Sequence, residues 1–430
     1  MEMSSGRRLI HPRDSGLAPP TLRSIMRPMW VRAALPKIRR RLERAWARRA
    51  DDLGTPPPPE GWLRDPRVVE KLIDEVREYL RAASIFDDSG DGADPVRGVV
   101  LRATGREVFL HEPIDMLAQA AVARALEPHI EPRLGPTVLA YRRGRHRLTG
   151  PYLARVLTRC HLPYAAKADI RKYFDSVTTA HVETSLRATV PGVADEVVAV
   201  VAYFLGASIY RDADHPHVLD GTAPRFEPSR HTLLQGSLIA PLLSNVVGHY
   251  AFDVPFARAF QRRRVLLLRY ADDLLVLGDE PGFVVDALDV LHELAERAGL
   301  RLHPDKTMDA PVDLRETRIE WLGKSIGAGT VRTPPHQLLK LWNAVTELDV
   351  DARASRRITT SALVELILDP HDAVLDLRAE AFAASEGHDR LICDAQLRME
   401  RRRTKKRFFG DSHRVLEAIA AAKPELGIRS

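Results

Sequence analysis

The stretch RYADDLLVLG, residues 269–278, sets two adjacent acids, Asp272 and Asp273, inside an otherwise apolar run. Val265 to Leu268 lead into it and Leu274 to Leu277 lead out, so it reads as a tight hairpin of two short strands. Burying neighbouring carboxylates there costs on the order of several kcal/mol per ion unless a cation meets them. A third acid has similar surroundings. In YAAKADIRKYFDSV a short apolar strand runs into Asp169, then a turn, then a helix beginning near Thr178. Asp169 at one strand end and Asp272/Asp273 in the hairpin are therefore expected to converge at one point of a sheet. Three hard oxygen donors so placed make a Mg²⁺ site, of the kind shared with substrate phosphates. Two such ions serve in-line phosphoryl transfer, one at the attacking hydroxyl and one at the leaving pyrophosphate. Taken alone, an Asp-Asp pair reads equally well as a plain hairpin turn.

The whole chain sets the frame. Its 430 residues suggest two or three packed units, and 45% hydrophobic content supports a sizeable core. The balance is basic, net +6 with a pI near 9.4, which fits a polyanionic partner. Only Cys160 and Cys393 occur, so neither a disulfide framework nor a zinc spacing is present, and a reducing, cytoplasmic setting is expected. No apolar stretch reaches the roughly 18 residues of a membrane helix; Val197 to Leu205 reads as a buried helix instead. Arginines without an apolar h-region argue against a secretory signal and leave an Arg-rich transit peptide as the alternative.

Along the chain, residues 1–50 are dense in Arg and Lys, and Leu35, Ile38, Leu42 and Trp46 fall at helical spacing. Lys37 to Ala50 thus reads as a basic amphipathic helix, broken by GTPPPPEGW. Residues 60–160 combine the helix VVEKLIDEVREYLRAA, the loop DDSGDGADP, a hairpin turning at Thr104-Gly105 and the helix IDMLAQAAVARALEPHI. Residues 160–330 alternate β-type runs with helices. From about Pro334 the pattern is helical, ending in RMERRRTKKRFF, whose Phe408 and Phe409 suit stacking on bases.

The order of the motifs decides between the readings. KADIRKYFDSV, LLQGSLIAPLLSNVV, RYADDLLVLG, GLRLHPDKT and IEWLGKSI resemble, motif by motif and in order, the palm of reverse transcriptases. Upstream, GREVFLHEPID and VLAYRRGRH resemble fingers motifs of the bacterial branch containing group II intron enzymes. The resemblance spans roughly residues 95–330. It implies an α+β right-hand polymerase: a basic extension over 1–59, fingers over 60–160, a palm over 161–330 whose antiparallel sheet carries the acids, and a helical thumb with a basic tail over 331–430.

The same resemblance implies roles. Asp169 and Asp272 would ligate two Mg²⁺ ions (Mn²⁺ the alternative), Asp273 would complete the cluster, and Ile170 would line the metal site. Phe174 matches the steric gate against a ribose 2′-OH. Gln235 and Gly236 match the QG pair that lies against nucleotide and template, with Ile170 and Arg171 beside the nucleotide. Lys306 fits the position that protonates pyrophosphate. Trp321, Leu322 and Gly323 resemble the primer grip, and Arg106, Arg142 and Arg145 suit triphosphate and template phosphates.

Departures narrow the branch. Ala240 stands where group II enzymes have Ser before the Pro of their box, no VTG motif follows, and neither a nuclease signature nor a zinc ligand set is seen after the thumb. What remains resembles the free-standing, defence-associated reverse transcriptases of bacteria. That implies dNTPs, an RNA template or non-coding RNA, a DNA product and no membrane, with a homo-oligomer or accessory protein as a further partner. Template-independent or self-primed synthesis, an RNA-binding scaffold without catalysis, and, more distantly, a palm-fold nucleotide cyclase are the competing readings.

Overall fold

The computed structural model describes residues 17–85, 96–101, 107–142, 149–160, 162–211, 225–327 and 330–332. Outside them lie residues 1–16, the Thr104-Gly105 turn and, from residue 333, the helices and basic tail expected at the C-terminus. In chain order, helices α1 (Leu22–Ile25), α2 (Pro28–Asp52) and α3 (Pro66–Ala83) precede strands β1 (Val96–Leu101) and β2 (Glu107–Leu110). Next come α4 (Pro113–Ile130), α5 (Thr149–Cys160), β3 (Tyr164–Asp169), α6 (Tyr173–Ser176), α7 (Thr179–Thr189) and α8 (Asp195–Leu205). Strands β4 (Gly206–Arg211) and β5 (Arg225–His231) lead to α9 (Ala240–Gly248) and α10 (Val254–Ala259). Then follow β6 (Val265–Tyr270), β7 (Asp273–Gly278), α11 (Pro281–Arg297), β8 (Val312–Asp313), β9 (Ile319–Trp321), β10 (Lys324–Gly327) and β11 (Thr330–Arg332). Helices mixed with mostly antiparallel sheets put the chain in the α+β class. No described helix is long and apolar enough to cross a membrane.

The chain forms two compact units. The first draws on Met1–Pro136, Ile170–Pro255 and Leu294–Arg301, the second on Thr137–Asp169, Phe256–Glu293 and Leu302–Ser430. In the first unit the basic helix is longer than its amphipathic core, because Pro28 at its first turn fits the helical φ and loses no bond. It ends at Asp52, ahead of the proline run, with Gly54 at φ +63°. Val31, Leu35, Ile38 and Leu42 form its buried face, and the helix packs along α4. Helix α4 is apolar almost all round and buried on most of its surface, since α2, α3 and α9 all lie against it. Helix α3 starts on Asp65, whose side chain accepts from the Arg67 amide at 2.8 Å. The sheet of this unit runs β2-β1-β4-β5, with β1 antiparallel to β2 and parallel to β4.

The second unit holds the sheet β6-β7-β3-β8, antiparallel throughout, and the hairpins β9-β10-β11. Its core gathers Leu139, Leu153, Leu268, Leu275, Leu314 and Trp321 among others. Strand β7 is buried at five consecutive positions, Leu274 to Gly278, so it reads as a continuous apolar run rather than an alternating one. Between β9 and β10 a two-residue loop, Leu322 at φ +52° and Gly323 at φ +75°, has the sign pattern of a type I′ turn. Leu322 tolerates that conformation while buried in the core. Gly150 makes room for it: a Cβ there would stand 2.7 Å from the Trp321 ring and 3.0 Å from Leu322.

Two predictions follow from this packing. Leu42→Ala is expected to cost about 2–5 kcal/mol, because it empties a fully buried position between α2 and α4. Denaturant unfolding followed by fluorescence measures it, and a midpoint equal to wild type would place α2 outside the core. The second concerns acid. Arg315 donates to both oxygens of Asp313 and to the Tyr164 hydroxyl, tying the end of β8 to the start of β3. The hydrogen bond from Arg315 holds the Asp313 carboxyl below its usual 3.8. Its stabilisation is thus complete above the ordinary carboxylate range and lost as pH falls through the lowered value. Asp313→Asn should flatten the acid limb of a thermal-stability profile below about pH 4 and leave the neutral part unchanged in shape.

Candidate active site

Antiparallel pairing fixes the geometry of the acids. Strand β3 ends at Asp169 and β7 begins at Asp273, and the register sets these two residues directly opposite one another. Across the hairpin, Tyr270 pairs with Asp273, leaving Ala271 and Asp272 as the loop. Ala271 adopts φ +59° and is buried. A non-glycine residue there costs on the order of 1 kcal/mol or more, a local strain that persists only where the surroundings impose it.

Carboxylates at opposed positions of adjacent strands repel. Lys306 answers Asp169, its Nζ lying 3.1 Å from each carboxylate oxygen. The lysine arrives there because the HPDKT loop runs beside β3. The His303 amide donates to the Asp169 carbonyl at 2.7 Å, the Met308 amide to the Lys167 carbonyl at 2.9 Å, and the Asp169 amide to the Thr307 hydroxyl at 3.4 Å. Asp169 is largely buried while the lysine side chain is 57% exposed, so the ammonium covers the carboxylate from the solvent side. Asp272 and Asp273 are half-buried.

Among the described residues, no three His, Cys, Asp or Glu side chains are gathered closely enough to hold a metal ion. The donor chemistry nonetheless fits a hard divalent cation: carboxylates at opposed register positions, with a cationic group already against the oxygens of one.

The first unit positions the other group of residues. The Phe109 amide of β2 donates to the Gln235 carbonyl at 2.7 Å. Gly236 has φ +109°, and a Cβ on it would stand 2.6 Å from the Phe109 carbonyl oxygen, so only glycine fits that approach. The Arg41 guanidinium of α2 donates to the Gly236 carbonyl at 3.0 Å; burial pushes Arg41 below its ordinary value. Tyr173 is buried and its hydroxyl donates to the Ser244 carbonyl at 2.8 Å. That anchor sets the half-buried Phe174 ring edge-on to Tyr173, with centroids 6.2 Å apart. Ile170 is fully buried, and the exposed Arg171 donates its amide to the Arg301 carbonyl at 2.8 Å.

The structure thus brings Asp169, Asp273 and Lys306 together, with Asp272 in the adjoining turn, and pins Gln235 and Gly236 against β2. Trp321 and Leu322 are core residues. Arg142 is buried, with Nη1 donating to the Val138 carbonyl at 3.0 Å. Arg106 and Arg145 lie outside the described residues. Sequence reading passed over Arg41, Asp115 and Gln119, all tied to this part of the unit. The signal for the last two was present: His111, Asp115 and Gln119 recur every fourth position at the start of a segment that is otherwise apolar.

Residues 110–326, about half of the chain, match the reverse transcriptase (RNA-dependent DNA polymerase) family. The chain belongs to that family, a class of nucleotidyltransferases. No curated protein matches it. Among solved structures it is similar to apo telomerase from Candida tropicalis truncated from its C-terminal domain, at 14% identity and a TM-score of 0.32. That likeness covers 44% of this chain and 39% of the telomerase chain, so this chain spans well under half of its neighbour's length.

The strained turn generates a test of its own. Ala271→Val, β-branched at positive φ and buried, is expected to destabilise the protein by about 1–3 kcal/mol. Ala271→Gly is expected within about 0.5 kcal/mol of wild type, because relief of strain offsets the added freedom of the unfolded chain. Equal unfolding midpoints for valine and wild type would show that the turn carries no strain.

Proposed function

We propose that the chain is an RNA-directed DNA polymerase that adds dNTPs to a 3′ end, and that it belongs to the free-standing, defence-associated bacterial reverse transcriptases, with an RNA template or non-coding RNA as partner. The observation that carries the reading is the pairing of Asp169 with Asp273 beside Lys306, inside a segment that belongs to the reverse transcriptase family.

Asp169, Asp272 and Asp273 are the residues that would hold divalent metal, Mg²⁺ by the hardness of their oxygens. When bound, two such ions supply activation of the 3′-hydroxyl and neutralisation of the leaving pyrophosphate. Lys306 releases the oxygens of Asp169 and gives its Nζ proton to the pyrophosphate oxygen, a role open to an exposed ammonium once the carboxylate no longer holds it. Gln235 and Gly236 offer a fixed backbone edge to the nucleotide. Phe174, held by its anchored neighbour, excludes a 2′-hydroxyl by collision. Arg106 and Arg145 serve the triphosphate and template, and Arg142, whose side chain is buried on the Val138 carbonyl, braces the segment that leads to Arg145. Trp321 to Gly323 support the primer end, and with two of those side chains in the core the hairpin backbone is the part offered to a primer.

Purified full-length protein with Mg²⁺, oligo(dT) on poly(rA) and dTTP is expected to extend the primer, and Asp272→Asn to lose about 10²–10³-fold or more in rate while keeping its melting temperature near wild type. Full activity of the mutant sinks the assignment of the acids. Phe174→Val should raise rNTP incorporation relative to dNTP by about tenfold or more; an unchanged ratio sinks the gate. For the defence role, plaque counts on bacteria expressing wild type should fall, and Asp272→Asn should restore them.

A further inference from the structure

Buried in the first unit is a polar cluster that neither the acids nor the metal chemistry uses. Gln119 has no solvent exposure, and His111, Asp115 and Ser237 are nearly as buried. Both ends of the Gln119 side-chain amide are engaged. Oε1 accepts from the Ser237 hydroxyl at 2.7 Å and from the Leu238 amide at 2.8 Å. Nε2 donates to Asp115 Oδ1 at 2.9 Å and lies 3.0 Å from His111 Nδ1. The orientation of the amide follows from chemistry: a backbone N–H only donates and an ionised carboxylate only accepts, so oxygen faces Leu238 and nitrogen faces Asp115. Asp115 is fixed in turn by the Tyr79 hydroxyl at 3.0 Å on Oδ1 and by His111 Nδ1 at 2.9 Å on Oδ2.

These contacts join three chain segments. Tyr79 comes from α3, the His-Asp-Gln series from the start of α4, and Ser237 and Leu238 from the loop directly after Gln235 and Gly236. The loop has other restraints: the Phe109 amide on the Gln235 carbonyl, the close approach of Gly236 to Phe109, Arg41 on the Gly236 carbonyl, and the Ser237 amide on the Leu234 carbonyl at 3.1 Å. The first three act at or before Gly236, and the fourth closes a turn within the loop without tying it to another segment. Beyond Gly236, Gln119 takes over. Its oxygen fixes the Leu238 amide, and the Ser237 hydroxyl it orients also accepts from the Ala240 amide at 3.3 Å at the start of α9. If the loop moved, the carbonyl of Gln119 would be left buried without either donor, which interior polar groups rarely tolerate.

We propose that Gln119, itself held by Asp115, is a positioning residue that sets the conformation in which Gln235 and Gly236 meet the incoming nucleotide. The assignment rests on the reading of that loop as nucleotide-binding. Gln119 touches no substrate; its effect passes through Ser237 and Leu238. A side chain that only filled space would affect stability without changing the affinity for one substrate over another.

The test uses the full-length chain in steady-state primer extension on a saturating primer–template. Gln119→Leu keeps most of the volume and removes both polar ends. The KM for dNTP is expected to rise about tenfold, the effect of one or two lost hydrogen bonds. Primer–template Kd and the kcat at saturating dNTP should stay within about threefold. The double variant Asp115→Asn with Gln119→Glu rebuilds the pair with donor and acceptor exchanged and keeps an oxygen toward Leu238, so it should bring KM most of the way back to the wild-type value. Gln235→Ala runs beside them as the control on the loop itself. A raised KM for Gln235→Ala with an unchanged KM for Gln119→Leu overturns the positioning role alone. Unchanged KM in both overturns the nucleotide reading of the loop, and the positioning role with it. Should Gln119→Leu fail to fold, Ser237→Ala removes one of the two donors to Oε1 and is expected to raise KM about threefold; wild-type KM in that variant overturns the proposal.

Discussion

The register between β3 and β7 is the constraint on which the second unit depends. Six consecutive pairs run from Tyr164 opposite Gly278 to Asp169 opposite Asp273. Strand side chains alternate faces, so a slip of one residue would turn every buried leucine of β7 to the other side and separate the acids. The apolar run Leu274 to Leu277 therefore does more than fill a core. It fixes the level at which two carboxylates must stand side by side, and the repulsion this creates is what the HPDKT loop answers with an ammonium. The strained Ala271 belongs to the same arrangement, because a two-residue loop between paired strands leaves the chain little choice of dihedral angle.

The first unit solves a different problem by different means. Its loop at Gln235 carries no charge, and it is held by neutral hydrogen bonds, one glycine and one guanidinium. Such bonds are directional and short-ranged, which suits the fixing of a backbone path better than the balancing of charge. Helix α2 takes part in this. Its apolar face packs along α4 while Arg41 reaches the Gly236 carbonyl, so a segment conspicuous in sequence for its basic charge is also a structural member of the unit. Two of its exposed arginines are engaged as well, Arg32 with Glu70 of α3 and Arg49 with Glu112.

The burial of an arginine and a tryptophan adds what sequence spacing does not carry. Arg142 and Trp321 stand in motifs that resemble those of reverse transcriptases, and it is that resemblance that assigns them to nucleic acid. In the fold Arg142 bonds the carbonyl four residues before it, and Trp321 lies in the core against Gly150 and Leu322. Spacing along a chain says which element a residue occupies; it does not say which face of that element another segment covers. The α2 helix and the β1–β2 hairpin were legible because periodicity and turn residues are local properties. The hold of Gln119 on Ser237 and Leu238 was not, because those partners lie more than a hundred residues away.

By itself, then, the sequence determined the hairpin around Asp272, the strand ending at Asp169, the lysine loop that follows, and their order, since apolar period and turn chemistry act between near neighbours. The tertiary structure alone decided that Asp169 faces Asp273, that Lys306 rests on Asp169, and that a buried glutamine of α4 holds the loop after Gly236. Each of these depends on strand register or on packing between distant segments, and burial is a property of the assembled core rather than of any stretch of chain.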